Sequence, residues 1–549
     1  MKTQIVAAGV SRLTFVQSKE IRADSRRAAT IVESALLCAL PGAETLGKFG
    51  ARTHSWLVYT CLIAQRWRMF SCLSANSRSF LGFWFVCVAA AGLVQRDCYG
   101  ASSARWWPQF RGPGGSGVAA DSDLPVHFGP ESNVVWQASL PPGHSSPCIW
   151  EDRIFLTGFS SGKLETLCVD RRNGQVLWRR AVEPHDLEKG SSSPAASTPV
   201  TDGQRVSVYF GAFGLICYDF DGAEKWRKPL PTPVTQHGAS SSPVIAGHTL
   251  VIACDQDLDS YLLAVDATTG ATLWKKDRPG FRRGFSTPLL WPVGKPELLV
   301  LPGTLRLMVY ALANGAERWT VNGLPNEMVA SPVAGGDLIF VAGWTPGAGV
   351  SRLPKFDVLL EQGDRDHDGR LTRDEAPVGP ARQHFLYLDA DKDGFITRAE
   401  WESLARIWEQ SQNALLAVRP GGTGDVTATH VVWKQMRGLP YVPCPLYYDG
   451  RLYLVKNGGL VSCFEAASGK VFYQEERLGV VGDFYSSPVE AGGKICAASQ
   501  PGTVVIYEAG ETLNVLARNR LGEAIMATPA IVENKLYVRT QNHLYAFGK

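Results

Sequence analysis

The sequence predicts an all-β fold, an eight-bladed β-propeller of four-stranded antiparallel blades whose ring is closed by an N-terminal strand, with a small α-helical insertion. Three observations carry that prediction. A strand–turn–tryptophan phrase recurs, as LETLCVDRRNGQVLW at 164–178, LICYDFDGAEKW at 215–226, LLAVDATTGATLW at 262–274 and MVYALANGAERW at 308–319. A Ser-Pro or Thr-Pro marker recurs with it, at Ser146, Thr198, Ser242, Thr287, Ser331, Ser487 and Thr528, with Cys444 before Pro445 as a degenerate member. Successive marker prolines lie 41 to 52 residues apart, except for one gap of 113.

Each phrase has the physics of a β-hairpin. Alternation places every second side chain on one face, and Asp-x-x-x-Gly or Asn-Gly supplies the positive φ of a tight reversal. The Trp after the turn is a large apolar anchor that one hairpin cannot bury, so neighbouring units must stack. A unit reads as four strands: the Ser-Pro strand, a run such as LVIAC or RLYLV, the Leu-x-x-x-Asp strand and the Trp strand. Residues 526–549 hold only three strands, and the missing one is NVVWQASL at 133–140. Pairing Trp136 into the last blade would close the ring and remove an open sheet edge. Later units are less regular: Tyr473 replaces the Trp, the seventh unit has no aromatic anchor, and the fifth reaches Trp433 after a longer turn.

Taken in order, residues 1–104 read as a leader. Residues 80–94 (FLGFWFVCVAAAGLV) form an apolar run of 15, the length of a signal-peptide core and short for a membrane span. Ser102-Ser103-Ala104 fits a small-x-small cleavage site. Met69 is a natural start, which makes 1–68 a mis-called extension and 69–104 a signal peptide; the other reading is a long leader with a membrane-anchoring segment. On the first reading the mature chain is exported, periplasmic or secreted, with no membrane span. Propeller residues then run over 105–350 and 413–549, interrupted by an insertion at 351–412.

Composition excludes little except nucleic acid. The 549 residues are 45% hydrophobic, with 55 Gly and 16 Trp, which is ample for a repeat array. Residues 1–104 hold 12 of the 55 Lys and Arg and 5 of the 52 Asp and Glu, so the remainder carries 43 cations against 47 anions. No basic face argues for a nucleic-acid partner. Seven of the 12 Cys lie beyond the leader. Cys168, Cys217 and Cys463 occupy the same slot of three units and point alike, which suits small buried hydrophobes better than disulfides.

The insertion carries the strongest chemical signal. DRDHDGRLTRDE at 364–375 and DADKDGFITRAE at 389–400 match the twelve-residue EF-hand calcium loop at each diagnostic slot. Asp364, Asp366 and Asp368, and Asp389, Asp391 and Asp393, fill positions 1, 3 and 5. Arg370 and Phe395 would each give a backbone carbonyl at position 7, and Glu375 and Glu400 a bidentate carboxylate at position 12. Two calcium sites are expected. The loops start only 25 residues apart, and Pro377 and Pro380 cut the helix leaving the first. That favours a constitutive site of weak affinity, roughly 10⁻⁴ to 10⁻³ M, over a sensor that opens.

Two other patterns are discounted. The G-x-S-x-G of 158–162 has a strand and not a helix after it, so it reads as a hairpin turn. Gly112, Gly114 and Gly117 spell G-x-G-x-x-G with no strand before them. The small residues before each marker proline read as packing on innermost strands. No catalytic residue is assigned.

The repeated Asp-x-x-x-Gly-x-x-x-Trp and Ser-Pro phrases resemble the pyrroloquinoline-quinone-like (PQQ-like) propeller repeat over 132–549 outside the insertion. The WPQFRGP start at 107–113 looks like that of large exported bacterial propellers of this type. The resemblance implies either a quinoprotein dehydrogenase or a non-catalytic scaffold such as the propeller lipoprotein of the outer-membrane barrel-assembly machinery. The dehydrogenases of that family share a vicinal Cys-Cys pair and a calcium-linked catalytic carboxylate, and no two cysteines are adjacent here. The sequence therefore favours an exported, calcium-binding module for a protein or envelope-polymer partner, without PQQ. A PQQ-dependent dehydrogenase is the enzyme alternative.

Overall fold

The computed structural model describes residues 105–187, 192–351 and 353–548, and the expected leader and signal peptide lie outside them. The chain forms eight antiparallel blades at 148–182, 200–229, 244–277, 289–322, 333–435, 446–477, 489–520 and 530–547. Blades 1 to 7 each hold four strands in sequence order, and blade 4 gains a short fifth. Blade 8 supplies three strands and takes its fourth, Val134–Ser139, from the N-terminal side. That strand pairs antiparallel with His543–Phe547, setting Trp136 opposite Ala546 and Ser139 opposite His543. The ring thus closes as the alternation and the truncated last unit predict.

The Trp strand joins blades by one repeated contact. Trp136, Trp178, Trp226, Trp274 and Trp433 each lie against a glycine in the turn of the next blade: Gly174, Gly222, Gly270, Gly315 and Gly469. These glycines have φ between 68° and 81°, and a Cβ on any of them would come within 2.6 to 2.7 Å of the indole. Glycine is needed there twice, for the left-handed turn and for the approach. Each indole N–H then donates to a carbonyl of that turn: Arg171, Phe220, Ala267, Leu312 and Ala466, at 2.8 to 3.0 Å. The anchor therefore buries its ring without leaving its donor unpaired.

The irregular units behave differently. Trp319 of blade 4 meets no such glycine, because the next blade's turn is long. Its strand instead gains a parallel partner, Gly424–Asp425, which covers the outer edge of blade 4. Tyr473 is buried in blade 6 with its hydroxyl unpaired. All seven cysteines of the described residues are free and buried, Cys168, Cys217 and Cys463 among them.

Ser161 and Gly162 make a two-residue turn with φ of 51° and 77° between Arg153–Ser160 and Lys163–Asp170. The G-x-S-x-G match is therefore a hairpin. Gly112, Gly114 and Gly117 lie in a loop around the short 3-10 helix Pro113–Gly115. Among the described residues no helix is long and apolar enough to cross a membrane.

Candidate metal centre and channel mouth

The marker residues do more than pack. The backbone N–H of Ser146 donates to Thr198 Oγ1 at 2.9 Å, that of Thr198 to Ser242 Oγ at 3.0 Å, and that of Ser242 to Thr287 Oγ1 at 3.1 Å. The pattern continues through Ser331, Cys444 Sγ, Ser487 and Thr528, and Thr528 N–H returns to Ser146 Oγ at 3.0 Å. Eight bonds close a ring around the axis, one per blade. The proline that follows each marker has no N–H to offer, so the marker's own N–H and side chain make the link. Reading these residues as packing alone missed the ring, because each partner is at least 41 residues away in the chain, and Ser146 lies 382 residues from Thr528.

The ring lines a cavity of about 400 Å³. At the C-terminal ends of the innermost strands the segment 105–119 crosses the axis. Trp107 pairs with Ile149 of blade 1, Thr201 N–H of blade 2 donates to Pro108 O, Arg111 donates to Pro445 O of blade 6, and Ala119 N–H donates to Glu490 O of blade 7. Phe110, carried by that segment, enters the cavity lining. At the other end the loops before the markers form a mouth with His144, His237, Phe285, Tyr441, Tyr485 and Met526. No Asp, Glu, Lys or Arg stands among the described residues of this wall. Burial lowers the His144 pKa to about 4, with a further push from Arg539, so its imidazole is neutral at neutral pH.

The insertion leaves blade 5 between Leu338–Gly343 and Ala414–Val418, on the face of the mouth. It has its own core, in which Phe356, Leu359, Leu371, Phe385, Ile396 and Trp401 are buried together. Helix Phe356–Gly363 enters the first loop, and helix Arg398–Gln410 leaves the second. Between the loops stand only two four-residue helices, Pro380–Gln383 and Phe385–Leu388, as the prolines at 377 and 380 require. Leu371 pairs with Ile396 and Thr372 with Phe395 in a two-stranded sheet that sets the loops side by side.

Both loops are shaped for a cation. Within Asp364, Asp366 and Asp368, and within Asp389, Asp391 and Asp393, carboxylate oxygens lie within 4.8 Å of one another. Gly369 N–H donates to Asp364 Oδ2 at 3.0 Å and Gly394 N–H to Asp389 Oδ2 at 3.1 Å. The other oxygen of each, Oδ1, is buried without a hydrogen-bond partner. Buried oxygens left unpaired are costly, and a hard cation is what such a donor set accepts. Glu375 and Glu400 fold back over their loops: Thr372 Oγ1 donates to Glu375 at 2.7 Å, and Thr397 Oγ1 to Glu400 at 2.8 Å. An oxygen-liganded divalent ion would fit each loop, with Asp364, Asp366, Asp368, Glu375 and the Arg370 carbonyl as the expected ligands of the first and Asp389, Asp391, Asp393, Glu400 and the Phe395 carbonyl as those of the second.

The insertion is tied to the mouth. Arg283 bridges Asp257 at 2.8 Å and Glu327 at 2.9 Å, and its Nη2 lies 3.3 Å from His384 Nδ1. Burial and these guanidinium groups hold His384 below its usual pKa, so it accepts. The Arg282 guanidinium lies over the Tyr387 ring, 3.1 Å from its centroid. Arg282 and Arg283 sit just before Phe285, which lines the cavity. Nothing in the spacing of single arginines announces this docking.

Comparison with known proteins follows the same division. Residues 161–343 match the family model described as outer membrane protein assembly factor BamB, and residues 383–405 match the EF hand. The chain carries PQQ-like propeller repeats and an EF-hand insertion. A BamB of Alkalilimnicola ehrlichii is 28% identical over 148 residues, 25% of this chain. The match spans about a third of that relative, 33% of its length. Among solved structures, the quinohemoprotein alcohol dehydrogenase of Comamonas testosteroni has a TM-score of 0.52 at 12% identity, over 82% of each chain. That of Pseudomonas putida HK5 has 0.50 at 13%, over 82% of this chain and 81% of its own. At such identities the likeness is one of fold.

Proposed function

We propose that this chain is an exported, calcium-binding β-propeller that works as a binding or scaffold module for a protein or envelope-polymer partner, docked at the channel mouth. The observation that carries this reading is the mouth wall: all eight blades contribute, with aromatic, hydroxyl and imidazole groups, and among its described residues there is no carboxylate, lysine or arginine. Such a wall offers apolar contact and hydrogen bonds to a partner. Similarity to an outer membrane assembly factor supports a protein partner in the envelope. The apolar run at 80–94 supports export, and the two acidic loops support two calcium ions held beside the mouth.

The test is capture from an envelope extract with the calcium-loaded chain and its Tyr441→Ala/Tyr485→Ala variant. Partners retained by the parent and lost from the variant are expected. Dye-linked alcohol oxidation with a stoichiometric bound chromophore, after adding the quinone and calcium, would overturn this reading in favour of a dehydrogenase.

A further inference from the structure

Buried arginines in this fold generally meet an acid. Arg278 holds Asp255 through Nε at 2.6 Å and Nη2 at 2.8 Å. Arg171 reaches Glu533 at 2.9 Å, and Arg283 reaches both Asp257 and Glu327. Arg539 does not. Its side chain is buried in blade 8, where Nη1 donates to Ser145 O at 3.1 Å and Ser145 Oγ at 2.6 Å, and Nη2 donates to Pro141 O at 3.1 Å. Its Nε has no partner, and among the described residues no carboxylate pairs with it. Burial pulls its pKa down to about 9.

Arg111 is buried without an acid as well, but Arg539 differs in lying on the wall of a cavity. That cavity, of about 330 Å³, opens between blades 7, 8 and 1 on the face of the channel mouth, with which it shares His144 and Met526. Among its described residues the rest of the polar wall is uncharged at neutral pH: Ser193, Gln500, Thr540 and Gln541. Glu523, an acid of the same loop cluster, is already engaged by Thr540 Oγ1 at 2.6 Å, Asn542 N–H at 3.2 Å and His543 Nδ1 at 2.8 Å. Gly143 keeps the guanidinium in place, since a Cβ there would meet Nη2 at 2.5 Å.

A buried cation with no acid beside it is costly, and an anion brought to it offsets that cost. We propose that this side pocket is a binding site for a small organic carboxylate, held by the Arg539 guanidinium against the neutral amides of Gln500 and Gln541. Arg539 lines the cavity with a guanidinium that no acid neutralises, and a planar guanidinium matches a carboxylate better than a tetrahedral phosphate of like charge. The inference does not rest on the scaffold reading, since it concerns a second cavity and is read by small-molecule binding, whereas the scaffold reading stands or falls on partner capture.

Calorimetry of the calcium-loaded full chain with succinate, its neutral analogue succinamide and inorganic phosphate tests the proposal. Succinate is expected to bind, with succinamide silent and phosphate weaker by roughly tenfold. Arg539→Gln should weaken succinate by roughly tenfold or more. Should that variant fail to fold, Gln541→Glu keeps Arg539 and places a competing carboxylate on the wall, and succinate binding should again be lost. No succinate binding by the parent, undiminished binding by a folded Arg539→Gln or by Gln541→Glu, or phosphate bound as tightly as succinate would each overturn the assignment.

Discussion

Arg370 and Phe395 occupy the same slot of the two calcium loops, and their side chains set the loops apart. The Arg370 guanidinium pairs with Asp368 at 2.8 Å and lies over the Phe395 ring at 3.8 Å. It thus occupies an oxygen of a position-5 ligand, while the Asp393 carboxylate in the second loop accepts from the backbone N–H of Phe395. An exposed pair of this kind is weak, so Arg370→Ala should raise calcium affinity at the first loop only modestly, by up to about fivefold. Calorimetry in a Glu400→Gln background reads that loop alone. The loop pattern made position 7 legible as a carbonyl donor; it is blind to what the side chain there does. Glu490 carries a second prediction. Burial lifts its pKa to about 7, while Tyr448 and the Gly493 N–H bond to it. Its folded pKa lies above the ordinary 4.5, so the unfolded chain gives up its proton first. Its contribution to stability is present below pH 4.5 and falls as pH rises towards 7. A melting-temperature profile should fall over that window in the parent and flatten in Glu490→Gln.

At the scale of the element, the Trp strand and the marker strand do different work. The Trp anchors were legible because a large apolar residue at a fixed offset from a turn glycine has one use in a repeat. Trp274 lies on Gly315 and donates to Leu312 O at 3.0 Å, so Trp274→Ala removes both ring and donor. A loss of about 3–5 kcal/mol, the usual cost of emptying an aromatic site, is expected in denaturant unfolding, with the partial exposure of this ring placing it at the low end. A loss under about 1 kcal/mol would mean that the blades are joined elsewhere. The marker hydroxyls were visible as small residues, and small residues before proline suit a crowded axis equally well without hydrogen bonds. Only the closed fold brings Ser331 to Cys444 and Thr528 to Ser146, and with them the ring.

At the scale of the molecule, the chain holds itself shut twice. The strand Val134–Ser139 completes blade 8, and the segment before it crosses the floor of the channel. Removing residues 105–140 would leave the His543–Phe547 strand with an open outer edge and empty the site that Trp136 fills against Gly174. Association or aggregation is expected, seen as higher-mass species in size exclusion and a lower melting temperature. A monomer of unchanged stability would show that closure is dispensable. The missing strand was legible at both ends of the chain, as was the pair of loops in the insertion. The floor, the docking of His384 and Tyr387 and the side pocket at Arg539 were not, since each joins lone residues far apart in sequence.

Calcium uptake by the insertion is the claim on which the functional reading leans most, and calorimetric titration of the parent against its Glu375→Gln/Glu400→Gln variant measures it directly. Two ions per chain, bound at roughly 10⁻⁴ to 10⁻³ M and lost in a variant that keeps its β-rich circular dichroism, is the expected result. A parent that takes up no calcium at millimolar concentration, or a variant that binds as the parent does, would contradict it.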